Sequence, residues 1–257
     1  MLFRSGTNPV SAGYWFINSG GVYQHNMNGS NLPLATWATN STCDITGIVN
    51  NAPGNLDQSF YNLIWNCTGQ TSKLTYGGSN LLTVNGTFTL SSTGTKSVKL
   101  NLSTDATYAW GHVNITGGSM YITESAASII NVSGNYTQTG GSFIMTDGVS
   151  STGNGTPVMN ITGNFSLTSG TFDMSQYTGT NTALGFGTLN LSGDVAYSGG
   201  SMTITSSTAG RGEIYFMKNG TQAVNFSGGT IPSGITVHVS NAALVEMGSN
   251  MTLAGTL

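Results

Sequence analysis

Only fifteen of the 257 residues carry a formal charge, six Lys or Arg and nine Asp or Glu, so acid–base chemistry has few residues to draw on. Sugar-cleaving chemistry needs two carboxylates at a set separation, or a base with a cation beside it. Asp147, Asp173 and Asp194 are unevenly spaced, off the period of the repeat described below, and are not expected to align. Glu213 with Arg211 in AGRGEIYF is the one acid and base pair in a loop, and it reads as a solvated pair. The three His, at 25, 112 and 238, are scattered, and neither Cys belongs to a CxxC unit, which argues against zinc. GxSxG, HExxH and phosphate-loop motifs are absent. No catalytic residue, metal or cofactor is expected, and an enzyme that degrades polysaccharides ranks third among the functional readings.

Three other residue sets carry chemistry. Cys43 and Cys67 are separated by a little under one coil of the repeat described below, so they could face each other across stacked strands. A disulfide between them would stabilise by roughly 3 to 4 kcal/mol in the chain-entropy model and imply an oxidising setting. The alternative is two buried free thiols. Fifteen of the 26 Asn precede Ser or Thr by two positions with no Pro between: Asn28, Asn40, Asn66, Asn85, Asn101, Asn114, Asn131, Asn135, Asn154, Asn160, Asn164, Asn190, Asn219, Asn225 and Asn250. These are acceptor sites for N-linked glycans, with Asn28, Asn154 and Asn219 in loops the easiest to reach. Strand alternation produces the same tripeptide by itself, and Asn repeated at one place in successive coils would instead stack into a side-chain amide ladder. Finally, the N-terminal third gathers Tyr14, Trp15, Phe16, Tyr23, Trp37, Phe60, Tyr61 and Trp65. This reads either as an atypical capping segment or as a sugar-stacking platform in which Trp37 and Trp65 contact carbohydrate.

The elements that must position these residues follow from a repeat. KLNLST at 99–104, INVSGN at 130–135, MNITGN at 159–164, LNLSGD at 189–194 and VNFSGG at 224–229 place Asn at 101, 131, 160, 190 and 225, in steps of 30, 29, 30 and 35. Self-similarity at such a period signals a stacked-repeat architecture. Apolar and polar residues alternate within each phrase, which makes strand, and the Asn between two inward apolar neighbours should point outward. At one constant offset after the Asn of three phrases come GGSF at 140–143, SGTF at 169–172 and GGSM at 199–202, a Gly corner followed by an inward Phe143, Phe172 or Met202. Polar excursions at 146–158, 176–188 and 206–223 vary in length while strand and corner keep their spacing. The expected fold is an all-β, right-handed parallel β-helix (β-solenoid) of about 30 residues per coil, one continuous domain with 1–72 as the capping segment and 73–257 as regular coils.

Composition narrows the setting. A net charge of −3 leaves no basic stripe for phosphates, so nucleic acid is not an expected partner. No apolar run reaches membrane-spanning length, and MLFRSGTNPV lacks the pattern of a secretory signal. NMTLAGTL at 250–257 stops as if in mid-strand, which reads as a portion of a longer chain or a subunit whose end is covered by another.

YWFINSGGVYQHN at 14–26, ATWATNSTCDITGI at 35–48, NLDQSFYNLIWNCTGQT at 55–71 and the coils VNGTFTL and NITGNFSLTSGTF resemble the repeat regions of large secreted surface proteins of Bacteroidetes-type bacteria. The resemblance spans nearly the whole chain. It implies a β-solenoid at the cell surface and gives no catalytic residue to carry over. The expected function is a non-catalytic extracellular structural subunit, its partners being copies of itself stacked end to end and glycans. The alternative is a cell-surface adhesin or carbohydrate-binding stalk.

Overall fold

Alternation of apolar with small polar side chains gives short strands, and glycines at fixed offsets turn one strand into the next. In the computed structural model this local rule repeats as a parallel β-solenoid, with residues 2–5, 14–76, 82–100, 105–147, 155–178, 185–206, 211–240, 243–248 and 252–253 described. Strand pairs among the described residues are parallel, and α-helix is absent from them. No helix there is long and apolar enough to cross a membrane.

Three ladders define three faces. On the first, Phe60, Val84, Trp110, Val132, Ile161, Leu191, Phe216 and Val239 follow one another in register. The second runs through Phe3, Tyr23, Cys43, Leu63, Phe88, Val113, Tyr136, Phe165, Val195, Val224 and Met247. The third starts at Leu74 and continues through Val98, Met120, Phe143, Phe172 and Met202. With rungs about 4.8 Å apart, the ten steps of the second ladder make a rod on the order of 50 Å long.

Sequence numbers along that ladder advance by 20, 20, 20, 25, 25, 23, 29, 30, 29 and 23. The expected period therefore holds only between Tyr136 and Val224. Elsewhere the coils are shorter, because a coil needs three sides and three corners and nothing more. The segment expected to be a cap carries the shortest and most even coils.

Inward side chains form one continuous core. Aromatic neighbours stack where the coils are long: Tyr136 lies on Phe165 with ring centres 5.1 Å apart and planes 6° apart, and Phe143 lies on Phe172 at 5.4 Å and 19°. Each such fully buried ring contributes about 1.5–3 kcal/mol from removal of apolar surface from water. The GGSF, SGTF and GGSM corners stack as expected, with Gly141, Gly170 and Gly200 at φ of 63°, 84° and 76°. At Gly170 a Cβ would sit 2.4 Å from the Gly140 carbonyl oxygen, so both backbone conformation and close packing exclude a side chain there.

Candidate functional site

The expected row of five Asn is a row of three. Asn131, Asn160 and Asn190 share one outward register on the first face, and Asn160 donates Nδ2–H to Asn131 Oδ1 at 2.8 Å while Asn190 donates to Asn160 Oδ1 at 2.7 Å. This is the amide ladder. The same register continues into Tyr215 and His238, whose rings stack 4.2 Å apart. Asn225 belongs to the second face, opposite Ala196, and Asn101 lies outside the described residues. The phrase apolar–Asn–apolar–Ser is satisfied by any outward polar position, so its recurrence does not guarantee one ladder.

Among the other sequons, Asn154 and Asn250 also lie outside the described residues, and every described one is exposed or half-buried. Several are already bound into the stack. Asn135 Oδ1 accepts the Asn164 N–H at 2.9 Å, and Asn164 Oδ1 accepts the Asp194 N–H at 2.9 Å, coil to coil at one corner. Asn28 Oδ1 accepts three consecutive backbone N–H groups, from Val49, Asn50 and Asn51 at 2.9, 2.9 and 3.0 Å, and its Nδ2 donates to Asn50 Oδ1 at 2.7 Å. Asn66, Asn85 and Asn219 are exposed.

The expected disulfide is not formed: Cys43 and Cys67 are both buried free thiols. The reason is register. The residue stacked on Cys43 is Leu63, and Cys67 comes four positions later in the same coil, where its thiol meets the Ile45 carbonyl at 3.3 Å. Burial pushes the Cys67 thiol up to about 12 and the Cys43 thiol well above its ordinary range, with the Asp44 charge adding to both. Neither is a nucleophile at neutral pH.

Trp37 and Trp65 are core residues, which removes them as sugar contacts. Trp37 is 7% and Trp65 0% exposed, and their indole N–H groups donate to Gln58 Oε1 at 3.0 Å and Gln70 Oε1 at 3.1 Å. Gln58 also accepts the Ala35 N–H and donates to the carbonyls of Pro33 and Asn55, so one amide holds the tryptophan and its coil in place. The exposed N-terminal aromatics are Tyr14 and Phe16 instead.

Charge gathers at a place that motif reading passes over. Lys73 pairs with Asp147, Lys99 pairs with Glu124, and Lys73 reaches Glu124 at 3.6 Å. The Lys73 ammonium also lies 4.5 Å from the centre of the Tyr121 ring. These four charges come from four successive coils beside the third face. Their sequence steps of 26, 25 and 23 match the local coil length, a signal that is readable once a period near 25 replaces 30. Burial raises the Asp147 carboxyl above its ordinary value, against the pull of Lys73. Burial opposes the Lys73 charge too, but the bond to Asp147 and the charges around it outweigh burial and keep the ammonium protonated. Two cations paired with two carboxylates make a cross-coil tie in which Asp147 Oδ2 is engaged while its buried Oδ1 has no hydrogen-bond partner, and Lys73 in that state is no general base.

The remaining acids singled out above do not join this cluster. Asp173 is buried and accepts hydrogen bonds from the Ser175 and Thr205 N–H groups, the Gln176 amide and the Thr205 hydroxyl. Asp194 sits at a corner of the second face with Lys218 at 2.6 Å, a bond that lowers its pKa. Glu213 accepts the Tyr215 hydroxyl at 2.9 Å, and Arg211 lies over the Phe186 ring. Of the variable excursions, 148–154, 179–184 and 207–210 lie outside the described residues. No group of three His, Cys, Asp or Glu that could hold a metal occurs among the described residues.

Comparison with protein-family models, with curated proteins and with solved structures finds no match to this chain.

Proposed function

We propose that this chain is a non-catalytic structural element of an extracellular surface or matrix, a β-solenoid rod that stacks end to end with copies of itself, of the kind found in the repeat regions of Bacteroidetes-type surface proteins. The observation that carries this reading is the like-on-like contact between coils: Asn160 bonds to Asn131 and Asn190 to Asn160 along one face, Phe172 stacks on Phe143, and the ladders that join them are parallel. Coils that bind their own kind along one axis favour addition of a further copy by the same strand pairing. The low charge of the chain adds little repulsion against it.

Electron microscopy and sedimentation of the purified chain over a range of concentrations test the proposal. Filaments whose length grows with concentration are expected. Discrete short rods at high concentration would overturn it.

A further inference from the structure

We infer that Lys73 and Asp147 condense with each other into a side-chain amide, a covalent clasp across the coils that the chain forms by itself. The two groups are already in contact: Lys73 Nζ donates to Asp147 Oδ2, and Glu124 Oε1 lies 3.6 Å from the same nitrogen. Coil stacking brings the pair together from 74 positions apart in sequence. Held in this way, amine and carboxyl meet at an effective concentration that free groups in solution never reach.

Asp147 is the reacting carboxyl because its charge is poorly accommodated. Its side chain is 2% exposed, and while Oδ2 meets Lys73, Oδ1 is buried without a hydrogen-bond partner. A buried carboxylate satisfied on one side only is costly, and an amide in its place carries no charge. Burial already raises its pKa, in the direction of the neutral acid that an amine attacks. Glu124 is better accommodated: its side chain is 25% exposed, and Oε1 faces both Lys73 and Lys99. Its place beside Nζ suits it to carry protons instead. In the step, the Lys73 nitrogen gives up a proton to Glu124 and bonds to Asp147 Cγ, and one Cγ–O bond breaks. The departing oxygen leaves as water with two of the three ammonium protons, and the third stays on the amide nitrogen. No oxidant, reductant or cofactor enters. The Tyr121 ring, its centre 4.5 Å from Nζ, helps hold the lysine over the site. The charged pair described above is the state before condensation, and because the bond forms once per molecule a slow rate is enough. The clasp lies within one chain, so it goes beyond the end-to-end stacking proposed above and does not depend on it.

Mass spectrometry of the full chain, folded at neutral pH and then denatured, tests the clasp. The expected mass is one water below that of the sequence, and proteolysis should yield a branched peptide joining Lys73 to Asp147. Lys73→Arg and Asp147→Ala should each keep the full mass, and Glu124→Gln should slow the loss, timed from refolding, about a hundredfold. Thermal melts establish which variants fold. The assignment is overturned if the folded wild type keeps the full mass, or if the branch joins Lys99 to Glu124. It is overturned equally if a folded Lys73→Arg also loses water, as ring closure between Asp147 and Gly148 would make it do. An unchanged rate in folded Glu124→Gln would remove Glu124 from the step.

Discussion

The coils around Tyr23, Cys43 and Leu63 and those around Tyr136, Phe165 and Val195 belong to one continuous stack but are held together differently. In the short coils each contact is made once: Gln58 clamps Trp37, Gln70 clamps Trp65, and Asn28 gathers the N–H groups of Val49, Asn50 and Asn51. The long coils use the same contact repeatedly, Asn on Asn, Phe on Phe and Gly over Gly. A stack can therefore be made specific by unlike parts that fit one another or by like parts that repeat. Only the second kind leaves a mark in sequence self-similarity.

The largest effect should come from the unlike parts. Trp65→Ala removes a fully buried ring and strands Gln70, and should cost about 4 kcal/mol, read as a drop in the denaturation midpoint. Among the repeated parts the severest substitution is at a corner. Gly170→Ala forces a side chain into a left-handed backbone against Gly140 and should cost about 3 kcal/mol by the same measurement. If Gly170→Ala proves neutral, the corners are not close-packed and the repeated stack is looser than described.

The sharpest comparison sets one Asn against another. Both Asn28 and Asn160 are sequon residues outside the core, yet Asn28→Ala removes four hydrogen bonds, three of them from consecutive exposed backbone N–H groups, and should cost about 2 kcal/mol. Asn160→Ala breaks two side-chain bonds between amides that water can reach, and should cost about 1 kcal/mol. Equal losses would erase the distinction between the two kinds of stacking.

The smallest effect is with pH. His25 is buried between the Tyr23 hydroxyl and the Gly29 carbonyl, and burial lowers its pKa below the ordinary 6.5. The folded state then binds fewer protons than the unfolded one, so stability is retained above 6.5 and is lost as the pH falls from there toward the folded value. Hydrogen exchange should show the coils around Tyr23 opening more readily at acid pH, with the coils around Phe165 unchanged. A His25→Gln variant should lose this difference.

Strand alternation, the glycine corners and the stacking of Phe143, Phe172 and Met202 are all legible in the sequence, because each is a local rule repeated at constant offset. The coils spaced by 20 are not. VYQH, TCDI and NLIW share the inward–outward pattern but hardly a residue, and identity is what marks a repeat to the eye. Asn225 falls on another face for the converse reason: its phrase matches while its register does not. Pairing Cys43 with Cys67 requires a coil longer than the one they occupy. The charge cluster hides because Lys73, Lys99, Glu124 and Asp147 share a position but neither type nor sign, and only the local coil length reveals it.

Unequal coils in one rod also give it a ruler. In each coil the ladder bonds lie along the rod axis, so a pull on the two ends peels strands away one coil at a time. Each event releases the chain stored in that coil, roughly 70 Å from a short coil and roughly 100 Å from a long one. Coils of intermediate length release roughly 85 Å, so a force–extension trace of a single molecule whose Lys73 and Asp147 are unlinked would carry three step lengths, and their order would tell which end gave way first.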